Sequence, residues 1–131
     1  MAEIILKNKI KLAGIKGVRV SSAGLNTEDG LKMSKNSFEA LKKLGYKPYG
    51  FKSKQLTQEM LDKCDMVITM TATHKMMLAG TKNVYTIGEA TGLGDVSDPY
   101  GRDLSVYVSV SHQIEDACNV IISEILKAKG E

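Results

Sequence analysis

The run Met66-Val67-Ile68-Thr69-Met70 constrains this fold more than any other segment. It carries no charge and offers no polar face, so it reads as a strand covered on both sides. A strand of that kind belongs in a parallel sheet with helices packed over it. The sequence around it alternates helical and extended patterns, as that architecture requires.

Before the run, Ala2, Ile5, Leu6, Ile10 and Ala13 keep helical spacing, which predicts a helix over 2–13 that Gly14 and Gly17 end. Residues 18–23 alternate and β-branch, which predicts a short strand. Asn26 to Gly30 is polar loop. Ser34 is placed to cap a helix carrying Phe38, Leu41 and Leu44 and closed by Gly45. Thr57 is placed to cap a short helix that would turn Met60, Leu61 and Cys64 inward. After the run come a short helix with Met76, Met77 and Leu78, a strand over 83–87, and a loop over 88–102 rich in Gly and Asp. The last helix spans about 103–127, with Leu104, Tyr107, Val108, Ile114, Cys118, Ile121, Ile122 and Ile125 at helical spacing. Met76 and Met77 are expected in the core.

The 131 residues suit one domain, residues 1–131, with one core. A net charge of +3 with dispersed lysines and few aromatics gives no nucleic-acid signature. No apolar stretch is long enough to span a membrane. Two cysteines make no disulfide framework, which points to a reducing cytoplasm. Cys64 and Cys118 are expected in the core, where a thiol behaves as a small hydrophobe. His74 and His112 lack partners at metal-ligand spacing, so no metal site is expected.

Five blocks together resemble one family. They are Met1-Ala2-Glu3-Ile4-Ile5-Leu6, Val20-Ser21-Ser22-Ala23-Gly24, Ser53-Lys54-Gln55-Leu56-Thr57, Asp65-Met66-Val67-Ile68-Thr69-Met70-Thr71 and Asp98-Pro99-Tyr100-Gly101. In this order they resemble low-molecular-weight protein phosphatases, which act on phosphotyrosine or phosphoarginine. The resemblance implies a three-layer α/β sandwich with a small parallel sheet, four strands in the order 2-1-3-4. Met1 falls just after the family's catalytic loop. The implied first strand, central in the sheet, and the loop holding the nucleophilic cysteine are therefore expected to be absent from this chain. Buried backbone groups left beside such a gap would each cost roughly 1–3 kcal/mol.

The family's loop also has an arginine six positions after its cysteine. Six positions after Cys64 and Cys118 stand Met70 and Glu124, and six before Arg19 and Arg102 stand Ala13 and Val96. The pattern is not relocated elsewhere in the sequence.

By the same resemblance, Asp98 is the acid that protonates the leaving group and then activates water, a double task suited to a carboxyl on a loop. Tyr100 would line the mouth of the substrate site. Ser22 would support the phosphate loop. Asn26 falls where an aromatic residue often walls the substrate site, and Phe51 where a histidine often stands. The general look of residues 65–126 resembles the branch that includes protein-arginine phosphatases. The resemblance implies no cofactor, a phosphorylated protein as substrate, and a monomer or weak homodimer. A non-catalytic binding module is the alternative. An arsenate reductase on the same fold would need relay cysteines, and 71–94 contains none.

Overall fold

A computed structural model describes residues 1–130. In chain order its elements are α1 (Ala2–Leu12), α2 (Lys35–Lys43), α3 (Gln58–Lys63), β1 (Val67–Thr69), α4 (Ala72–Met77), β2 (Val84–Thr86), α5 (Ile87–Thr91) and α6 (Leu104–Gly130). β1 and β2 pair in parallel, with Val67 opposite Val84, Ile68 opposite Tyr85 and Thr69 opposite Thr86. The architecture is the expected α/β arrangement with a small parallel sheet. The expected order places the third and fourth strands side by side, and β1 and β2 are so placed.

Helix α6 organises the core. Tyr107, Val110, Ser111, Ile114, Ala117 and Cys118 are buried along it, a three-four spacing that makes one continuous stripe. α1, α2 and α5 pack against this helix, while α4 and α5 flank the two strands. Ile5 from α1, Leu41 from α2, Ile87 from α5 and Val96 meet the α6 stripe in one cluster. Burying each large aliphatic side chain there stabilises the fold by about 1.5–3 kcal/mol.

The predicted caps form. Ser34 accepts from the Ser37 amide and Thr57 from the Met60 amide. Thr71 caps α4 in the same way through the His74 amide.

Five expectations are corrected. Residues 18–23 are not a strand. Val18 and Val20 are half-buried and their neighbours exposed, so the alternation is present. A strand also needs a ladder, and among the described residues no backbone–backbone hydrogen bond reaches 18–23. Pairing begins only at Gly24, which forms an isolated parallel bridge with Gln55.

The expected loop over 88–102 begins with helix. Thr86 and Glu89 form a capping box that starts α5, and Gly92 at φ 76° ends it. Met76 and Met77 are 75% and 61% exposed and lie outside the core. The half-buried positions of this helix are Thr71, His74, Lys75 and Leu78, one helical face, and the two methionines fall on the other. Cys64 is exposed. The chain leaves α3 in an extended conformation at Cys64, so the Met60 and Leu61 face stops before the thiol.

β1 is also covered less fully than its sequence suggests. Val67, Ile68 and Met70 are half-buried, only Thr69 is buried, and Met66 is exposed. The Val67 amide donates to Asn83 O at 3.0 Å, so Val67 and Thr69 turn their backbone groups toward β2. Ile68 then presents its N–H and C=O on the opposite edge, where no backbone partner meets them among the described residues.

Candidate active site

The Asp98 turn is rooted at the C-terminal end of β1. The Val96 amide donates to Met70 O at 2.9 Å, and the Val96 side chain is 4% exposed in the core cluster. Two residues later Asp98 is exposed, and its Oδ1 accepts from the Tyr100 amide at 3.0 Å. Asp-Pro-Tyr is thus an aspartate-initiated turn with a rigid second position. Arg102 N closes it on Pro99 O at 2.9 Å, and Asn36 Nδ2 reaches Arg102 O at 3.3 Å from α2. Asp103 opens α6 by accepting from Ser105 Oγ at 2.6 Å and Val106 N at 3.2 Å. The Ser105 hydroxyl, the largest influence, and the Val106 amide hold its carboxyl below the ordinary value.

Tyr100 is 85% exposed beside this turn. The C-terminal ends of strands are where α/β folds place ligands, because the loops that follow converge there.

Ser22 lies within the 18–23 segment that lacks a ladder. Its hydroxyl donates to Glu3 Oε1 at 2.7 Å, while Glu3 Oε2 accepts Lys7 Nζ at 2.9 Å. Burial, the largest influence on Glu3, pushes its carboxyl up. The Ser22 hydroxyl and the Lys7 ammonium together outweigh it and leave the carboxyl below its ordinary value. Ser22 is thereby tied to the first turn of α1.

Asn26 is exposed, and among the described residues it makes no hydrogen bond of its own. Its neighbours are held from both sides by one side chain. Gln55 Oε1 accepts from Thr27 N at 2.7 Å, and Gln55 Nε2 donates to Leu25 O at 3.0 Å. The Gln55 amide donates to Asp29 Oδ1 at 2.8 Å, and Gly24 exchanges backbone bonds with Lys54 and Leu56 at 2.8 Å each. Sequence reasoning missed this role for Gln55. A glutamine within a polar stretch carries no periodic signal, and its partners lie some 30 positions away.

Among the described residues the Tyr100 amide to Asp98 Oδ1 bond is the one hydrogen bond within the set Asp98, Tyr100, Ser22 and Asn26, and neither Ser22 nor Asn26 is bonded to that turn. Two shallow depressions occur elsewhere. One of about 270 Å³ lies by Lys75, Thr81 and Tyr85, and one of about 290 Å³ by Asp29, Lys52 and Met60. None of the four expected residues lines either.

The thiols differ sharply. Burial, with a smaller contribution from Glu115 and an opposing one from Lys9, pushes Cys118 up to about 11, so it is a neutral core group at physiological pH. Cys64 is exposed but is followed six positions on by Met70 rather than an arginine. The Asp98 turn presents an exposed carboxyl, and among the described residues neither cysteine is followed six positions on by an arginine.

Relatives of the chain carry the same architecture. A sequence profile of the low molecular weight phosphotyrosine protein phosphatases matches residues 1–131. A protein-arginine-phosphatase of Bacillus subtilis is 29% identical over 97% of this chain and 88% of its own length. The crystal structure of a low molecular weight protein tyrosine phosphatase from T. tengcongensis superposes with a TM-score of 0.86 at 33% identity, covering 94% of this chain and 88% of that one. The YwlE arginine phosphatase from Geobacillus stearothermophilus superposes with a TM-score of 0.88 at 27% identity, covering 98% of this chain and 84% of the other. By sequence along its whole length, and by the fold that carries the Asp98 turn at the end of β1, this chain belongs to the low molecular weight phosphotyrosine protein phosphatase family.

Proposed function

We propose that this domain hydrolyses phosphorylated protein side chains through a phosphocysteine intermediate, with Asp98 as acid and then base. The thiolate would attack phosphorus and break its bond to the tyrosine oxygen or arginine nitrogen, which takes the Asp98 proton. Asp98 would next take a proton from water as that water attacks phosphorus and releases the thiolate. The nucleophile is not among these 131 residues, since neither cysteine has the arginine spacing. Ser22 would support the nucleophile's loop, and Tyr100 and Asn26 would contact substrate. No cofactor enters this chemistry.

The observation that carries the reading is the rooting of the Asp98 turn on β1 through Val96 and Met70. It gives an exposed carboxyl a fixed origin at the ligand end of the strands. The polar Asn26 in place of an aromatic wall supports phosphoarginine over phosphotyrosine. The two unbridged cysteines, Cys64 and Cys118, support a reducing cytoplasm. No helix is long and apolar enough to cross a membrane.

The test compares this chain with the same chain joined at Met1 to a strand and a Cys-x5-Arg loop. The 131-residue chain is expected to leave an aryl phosphate intact, and the joined form to hydrolyse it. Asp98→Ala is expected to slow the joined form about 100- to 10,000-fold. Turnover by the 131-residue chain that survives cysteine alkylation and is lost in Asp98→Ala would overturn the thiolate route.

One observation favours a second reading, a non-catalytic binding module. The N–H and C=O of Ile68, which have no backbone partner among the described residues, offer a place for an extended segment to pair. Binding of a β-branched peptide that perturbs the Ile68 amide, with no turnover by the joined form, would favour it.

A further inference from the structure

We propose that Gln55 is a positioning residue that sets where Asn26 stands, and through Asn26 which phosphorylated side chain the site accepts. The inference rests on the phosphatase reading above, because it assigns Asn26 to the substrate side.

The Gln55 amide is the one side chain that grips both neighbours of Asn26. Its carbonyl oxygen takes the Thr27 amide at 2.7 Å and its nitrogen reaches Leu25 O at 3.0 Å and Leu56 O at 3.4 Å. Thr27 offers a donor and Leu25 an acceptor, so only one orientation of the amide satisfies both. The side chain is half-buried, and its own backbone is anchored by the Gly24 bridge and by Asp29. Neighbouring contacts hold the ends of the loop. Ser53 Oγ donates to Glu28 O at 2.6 Å, and Gly30 N donates to Ser53 O at 2.8 Å. Those contacts would remain if Gln55 were truncated, so the loop would stay docked while its apex loosened. Asn26 is exposed between the two gripped residues, and among the described residues its side chain has no hydrogen-bond partner.

Gln55→Ala removes both grips. Gln55→Glu keeps the acceptor for Thr27 but turns a second carboxylate oxygen toward Leu25 O, which repels it. Amide exchange is read first, on the 131-residue chain. In Gln55→Ala the Thr27 amide is expected to exchange about five- to tenfold faster, with amides of α6 unchanged. Gln55→Glu is expected to restore Thr27 protection. In the joined form, Gln55→Ala is expected to shift the kcat/KM ratio of phosphotyrosine to phosphoarginine peptides by about threefold or more, chiefly through KM.

Unchanged Thr27 exchange in Gln55→Ala overturns the grip. Faster exchange with an unaltered substrate ratio overturns the role in selection. A joined form that hydrolyses neither peptide sinks the phosphatase reading and with it the selection role, while the exchange result still decides the grip.

Discussion

The Val96 amide meets the Met70 carbonyl at 2.9 Å, so the segment that carries Asp98 starts from the last residues of the sheet. The Val96 side chain sits in the same core as Ile87 and Ile114. One residue thus serves the core with its side chain and the turn with its backbone.

Val96→Ala keeps that backbone bond and opens a small cavity beneath the turn. It is expected to cost about 1–2 kcal/mol in urea unfolding. In the joined form kcat is expected to fall while Asp98 stays in place chemically. A variant as stable as the parent would show that Val96 is not packed as described.

Gly88 leaves no room for a side chain. A Cβ there would collide with Asp95 Oδ1 and stand 3.0 Å from the Asp95 nitrogen. The Gly88 amide also donates to that carboxylate at 3.0 Å. Gly88→Ala is expected to destabilise the domain by about 1–3 kcal/mol, since the collision involves backbone as well as side chain. An unaltered melting temperature would contradict this close approach.

Thr86→Ala breaks the capping box at the start of α5. Thr86 Oγ1 accepts from Glu89 N at 3.0 Å, and Glu89 Oε1 accepts from Thr86 N at 2.9 Å. The expected loss is about 1 kcal/mol by denaturant titration. Thr86→Ser, which keeps the oxygen, is expected to recover most of it.

The two thiols are expected to separate by reactivity. Iodoacetamide should modify Cys64 in the native chain and reach Cys118 only in denaturant, because Cys118 is buried. Burial pushes the Cys118 thiol above its ordinary value, up to about 11. A raised acid favours the folded state below the ordinary thiol value and loses that advantage as pH rises toward 11. Chemical unfolding between those limits should show stability falling, and Cys118→Ala should flatten the slope. Equal labelling of both cysteines at neutral pH would contradict the core placement.

Glu3 works in the opposite direction. Its folded carboxyl lies below its ordinary value, despite burial, through Ser22 and Lys7. Its contribution is present above the ordinary carboxylate value and fades as pH drops through the folded one. Glu3→Gln should therefore lower stability at neutral and alkaline pH and converge with the parent in acid, where Glu3 is protonated. If Glu3→Gln is as stable as the parent at neutral pH, the Ser22–Glu3–Lys7 contact is not contributing.

The helices were legible because their signals are local. Ser34 and Thr57 announce caps within three residues, and α6 repeats its buried stripe from Tyr107 to Cys118. Thr86 and Glu89 gave the same local signal for α5, but the glycines around it masked a five-residue helix. The extent of β1 was readable, while its cover was not, since burial depends on what lies across the sheet. Residues 18–23 show the same limit. Their alternation fits a strand, yet a strand is a property of two segments. Met76 and Met77 read as core residues by type, and Cys64 by its place on the apolar side of a short helix. Their short helices place one narrow face inward, and the sequence does not say which. Of the candidate site, Asp98 and Ser22 were legible through the family resemblance alone. The Gln55 grip was not, because it joins loops far apart in the chain.

The backbone of Ile68 has a consequence for handling the chain. In dilute solution water satisfies its free N–H and C=O. At higher concentration a second chain competes with that water, and the outcome scales with how often chains meet. A net charge of +3 gives only mild repulsion against such encounters. Self-association of this chain is therefore expected to start at these two backbone groups of Ile68 on the sheet edge rather than to follow from its surface charge.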